Sequence, residues 1–211
     1  MPGGKTNQGG TETVKRYSRT LVVLTIAMGV VVGTATARTL EFSSLTFRVT
    51  WASLTFAGEV INIRCPVTFE GSLHSRNMLK TAGSLIGYVT AVSVDTAACA
   101  GGRARANGET LPWHVRYRSF IGTLPNITSI SADIVGATFE VEAEGFCAWT
   151  RLRGTATGQF NREVRGALTG VVASGSLPRV SGGFCPNPTL SGTSSAPTVL
   201  GTTTRITVTL I

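Results

Sequence analysis

From Leu45 to Leu210 the chain alternates apolar and polar residues almost without interruption, and a helical period is hard to find. Period-2 alternation is the pattern of a strand with one face buried and one face wet. The clearest stretch is Trp113 to Ile121, WHVRYRSFI, bracketed by Thr-Leu-Pro at 110–112 and again at 123–125. Its apolar positions Trp113, Val115 and Tyr117 belong to a core, and His114, Arg116 and Arg118 form its outward row. About ten such runs at short, regular spacing predict an all-β domain, an antiparallel β-sandwich or alternatively a barrel.

Local breaks in the pattern carry further expectations. Leu45, Phe47, Val49 and Trp51 are apolar on odd positions, whereas Leu54 and Phe56 are apolar on even ones, which requires a turn or bulge near Ala52-Ser53. Pro66 lacks a ladder donor, so its strand is expected to be interrupted or at an edge. Arg76 to Gly83 reads as the one helical turn. Asp95–Gly108 and Ala173–Pro188 read as long loops, each holding a cysteine.

The first part of the chain reads as an export signal. Lys15, Arg16 and Arg19 precede the uncharged run Leu21 to Val32, and Ala35-Thr36-Ala37 supplies the small residues that a signal peptidase reads. Cleavage is expected after Ala37, with an uncleaved membrane anchor as the alternative. The division is therefore residues 1–37 as signal and 38–211 as one all-β domain, secreted or at the cell surface. The part after residue 37 carries about +5, spread along the chain without a block of like charge. That argues against a nucleic-acid partner and leaves weak association with an anionic cell envelope or glycans. A membrane partner follows only if residues 1–37 are retained.

Four cysteines in an exported chain read as two disulfides. Pairing Cys65 with Cys99 and Cys147 with Cys185 closes two loops of similar span, although counting leaves all three connectivities open. No two cysteines lie close enough for a structural zinc site. Histidines occur only at 74 and 114, no HExxH or G-x-S-x-G motif is present, and no cofactor is expected. His114, Arg116 and Arg118 form a row suited to a carboxylate, phosphate or sulfated sugar, against the plainer reading of a solvated strand face. Trp51 and Trp113 read as core, and Trp149 as a possible ligand contact. Asn126-Ile127-Thr128 has the form of a glycosylation sequon. Glu140, Glu142 and Glu144 line the wet face of a strand. A turn at Gly145 to Ala148 would set Glu142 opposite Arg151 and Glu140 opposite Arg153.

The segments CPVTFEGSLHS, GSLIGYVT, LPWHVRYRSFIGTLPNI and LGTTTRITVTLI together resemble a group of exported all-β proteins of soil bacteria to which no function is assigned. The resemblance implies a shared fold and transfers no site residue. The expected role is thus a non-enzymatic exported or cell-surface protein, structural or binding. The alternatives are a small-ligand or glycan binding module, which would use the two loops, and a secreted hydrolase.

Overall fold

The structure, a computed structural model, describes residues 39–59, 61–123 and 126–211. The expected signal at residues 1–37 and the expected cleavage after it lie outside the described residues. Thirteen strands follow in chain order: β1 Thr39–Phe42, β2 Thr46–Ala57, β3 Asn62–Leu73, β4 Asn77–Leu79, β5 Leu85–Val94, β6 Arg103–Ala106 and β7 Trp113–Thr123. Then come β8 Asn126–Ala143, β9 Cys147–Arg162, β10 Leu168–Ser176, β11 Arg179–Gly182, β12 Thr189–Thr193 and β13 Val208–Leu210. Two short 3-10 turns at Thr96–Ala98 and Gly108–Thr110 are the helical pieces among the described residues.

Every pairing is antiparallel, and the main ladder closes on itself. It runs β2–β3–β5–β7–β8–β9–β10–β12 and returns to β2, an eight-membered ring. Closure leaves no free edge in this ring. At one end, however, opposite walls touch as in a sandwich. Phe56 on β2 and Phe139 on β8, four strands apart in either direction, have ring centroids 5.1 Å apart. Trp113 and Phe69 complete that cluster, at 5.4 and 6.3 Å from Phe139. Both expected architectures are therefore present, in different parts of one domain. The interior is apolar and the outer rows are polar, the reverse of a barrel that spans a bilayer.

Strands β8 and β9 are longer than the ring needs. Beyond it, β8 pairs with β6 and β9 with β11. The run from Ile127 and the run to Ala143 are one strand because Gly136, at φ 86°, makes a bulge that restores the inward parity. Gly145, at φ 77°, closes the β8–β9 hairpin. A second small sheet, ordered β13–β1–β4, lies over the opposite end as a lid. Leu40 of its central strand is fully buried, and Phe42 and Met78 face the barrel interior.

The expected bulge lies between Trp51 and Leu54. It also explains why Pro66 does not interrupt β3. The ladder to β2 passes from Cys65–Leu54 to Val67–Trp51, so the proline stands opposite the bulge, where no donor is needed. Residues 76–83 hold strand β4 and a turn rather than a helical turn, because Met78 is drawn in beneath β1. The Asp95–Gly108 segment is ordered by β6, which finds the unpaired edge of β8, and 173–188 is likewise divided between β10 and β11. Both disulfides have the favoured connectivity, Cys65–Cys99 and Cys147–Cys185. They place the folded domain in an oxidising compartment.

Candidate functional site

The Phe56–Phe139 contact fills one half of the barrel, and Phe69 and Trp51 bound the space beyond it. In the other half, beneath the lid, lies a cavity of about 70 Å³. By the space one water centre needs, that is room for roughly five waters. All eight ring strands contribute to its wall: Val49 and Trp51 from β2, Phe69 from β3, Val89 from β5, Val115 from β7, Ala132 from β8, Ala156 from β9, Val171 from β10 and Leu190 from β12. Phe42, Met78, Pro197 and Ile206 close it from the lid side. The exposed inner surface has no polar atom. Water in such a space lacks hydrogen-bond partners, so the cavity suits an apolar guest.

The residues singled out for chemistry lie outside this cavity. His114 is exposed, with its ring 5.4 Å from that of Tyr88, which in turn stands 4.8 Å from His74. The two histidines thus flank one tyrosine on the outer wall. Arg116 donates from Nη1 to the Gly83 carbonyl at 3.0 Å. Arg118 donates from Nη1 to Asp133 at 3.1 Å and to the Thr157 hydroxyl at 3.2 Å, while that hydroxyl donates to Asp133 at 2.7 Å. The row is therefore not brought together on one anion: Arg116 and Arg118 turn to different partners. Among the described residues, no three His, Cys, Asp or Glu side chains gather as a metal site.

Trp149 is half-buried, and its ring is covered by Arg105, whose guanidinium carbon stands 4.4 Å from the ring centroid. Arg103 stands 5.9 Å from the same ring. The neighbouring ion pairs correct the expected register. Glu140 faces Arg151, and Thr138 faces Arg153. The hairpin turns earlier than expected, with Ala143 opposite Cys147, and a one-residue bulge follows after Val141; together they move the pairing by two residues and leave side-chain parity unchanged. Glu142 instead meets Arg103 of β6 at 2.7 Å. Glu140 receives Arg105 at 2.7 Å and Arg151 at 3.0 Å, with Asn107 donating at 3.3 Å.

Desolvation alone would raise the Glu140 carboxyl. The hydrogen bonds from Arg105 and Arg151 outweigh it and hold the group below its usual 4.5. A carboxylate depressed in the folded state contributes stability above its unfolded value, and that contribution is lost as pH falls through the folded value. Glu140→Gln is expected to cost up to ~1 kcal/mol at neutral pH, the range of exposed ion pairs. As pH falls below the usual 4.5 and through the lowered folded value, the gap to wild type should narrow. Urea unfolding at pH 7 and pH 3 checks this; an equal gap at both would show that the charge is not what stabilises.

The cavity itself has no signature in the sequence. Its wall residues read as ordinary core, because parity reports which side chains point inward and not whether they fill the space between opposite walls. The one available signal is small residues at inward positions of neighbouring strands, Ala132, Ala156 and Ala173. No family model, curated protein or solved structure matches this chain.

Proposed function

We propose that this domain is an exported, non-enzymatic binding protein whose barrel holds one small apolar molecule. The observation that carries this reading is the cavity beneath the lid, walled by all eight ring strands and without a polar inner atom. Small-molecule sites occur in the mouths of β-barrels, and their apolar lining supplies the affinity. The two disulfides support the exported part of the reading.

Xenon is a suitable probe, being apolar and smaller than the aromatic guests that need about twice this volume. Binding to the folded state alone raises the melting temperature in proportion to the logarithm of free ligand over Kd. The expected result under rising xenon pressure is a saturable rise, with a parallel change in tryptophan emission because Trp51 lines the cavity. Ala156→Phe places a ring in that space and should weaken xenon binding at least about tenfold, some 1.4 kcal/mol. Ala173→Leu, a smaller filling, should weaken it less. Absence of a saturable effect in wild type, or equal xenon affinity in all three proteins, would rule out the cavity as the binding site.

A further inference from the structure

We propose that the lidded end of the barrel docks on an anionic lipid bilayer. This end holds the β1–β2 and β7–β8 connections, the β3–β4–β5 passage and the β9–β10 turn. Ten large apolar side chains are exposed among the described residues, and six of them belong to this end: Leu45, Leu79, Leu85, Ile121, Val164 and Ile211. Val164, in the β9–β10 turn, is 96% exposed and Leu79, in the lid, 62%. They come from the lid strands and from the separate connections beside them.

The charges at the same end are unbalanced. Arg76, Arg116, Arg162, Arg165 and Arg205 stand in or beside its connections, against Glu41 and Glu163. Arg205 answers Glu163 at 3.6 Å, and among the described residues basic side chains outnumber acidic ones at this end. At the opposite end Glu140 and Glu142 take up Arg103, Arg105 and Arg151.

This mixture selects the partner. The core of a protein interface is depleted in charge and continuous in apolar area. Separate apolar side chains set among cations match a bilayer surface instead, where the first enter the acyl boundary and the second meet anionic headgroups. The docked end is the one through which a guest would pass to the cavity. That consequence rests on the binding reading above; the docking does not.

The test is flotation of the protein, purified as its host exports it, with vesicles of phosphatidylcholine alone or containing phosphatidylglycerol. Binding is expected to the anionic vesicles and to fall as salt rises. Val164→Glu with Leu79→Glu should reduce it at least about tenfold. Phe146→Glu with Phe184→Glu, two exposed rings at the other end, should leave it unchanged. No binding to anionic vesicles, loss in the Phe146/Phe184 variant, or no loss in the Val164/Leu79 variant would each overturn the proposal. A dimer in sedimentation that the Val164/Leu79 changes dissolve would assign the surface to a second copy and overturn it too. The xenon melting shift is measured in every variant: its persistence shows an intact barrel. Xenon binding without vesicle binding defeats the docking alone, and vesicle binding without xenon binding defeats the cavity reading alone.

Discussion

Phe139→Ala is expected to lower the unfolding free energy by about 3–5 kcal/mol, the range for truncating a fully buried phenylalanine. Phe139 is completely buried and touches the rings of Phe56, Phe69 and Trp113. It is the point at which two opposite walls of the ring meet, so its removal leaves a void that neither wall can close alone. Edge-to-face pairs add about 0.5–1.5 kcal/mol beyond area burial, and two of its three ring contacts are of that kind. Urea titration should show a lower midpoint at constant slope. Phe146→Ala, at a ring 70% exposed, is the control and should fall within about 0.5 kcal/mol of wild type. A loss below about 1.5 kcal/mol for Phe139→Ala would mean that the walls relax together, and that the barrel is softer than its aromatic contacts imply.

Opening the disulfides should have an effect of similar size. The bridges close loops of 34 and 38 positions. Restricting the unfolded chain over such loops stabilises by about 4 kcal/mol each. Each also ties an accessory strand to the ring: Cys99 lies between β5 and β6, and Cys185 between β11 and β12. Loss of both removes about 8 kcal/mol, most of the 5–15 kcal/mol typical of a domain. The protein with all four cysteines replaced by alanine should therefore be largely unfolded at 37 °C. Cys147→Ala with Cys185→Ala alone should fold with a melting temperature lowered by about 8–16 °C, since about 4 kcal/mol is involved at roughly 2–4 °C per kcal/mol. Circular dichroism on heating, with and without reductant, measures both. A fully reduced protein as stable as the oxidised one would mean that the bridges play no part in holding the fold.

Much of the fold was legible because a strand's side-chain period is local. Trp51, Trp113, Val141 and Leu152 turn inward as their parity requires, and the parity change at Ala52-Ser53 is a bulge. What escaped is non-local. The Glu140 partnership was missed by two residues because a tighter turn and a one-residue bulge together change the register without changing the parity. Strand β6 was hidden in a stretch without period, since four residues become a strand only when a neighbour offers an unpaired edge. Met78 made a strand of an expected helical turn for the same reason. Of the site, the outward positions of His114, Arg116 and Arg118 could be read from alternation, but their partners could not. Arg118 reaches Asp133 on the next strand and Thr157 on the one beyond.

The sequence by itself determined the class of fold, the inward and outward faces of most strands, and a cysteine spacing that fitted the observed bridges. Each of these follows from residue order over a few positions, or from the count of reactive groups. Tertiary structure alone decided that the ladder closes, that opposite walls meet at Phe56 and Phe139, and that they part beneath the lid. Closure depends on which strand lies beside which. An empty interior depends on the distance between walls that share no local sequence, and no pattern along one strand records either.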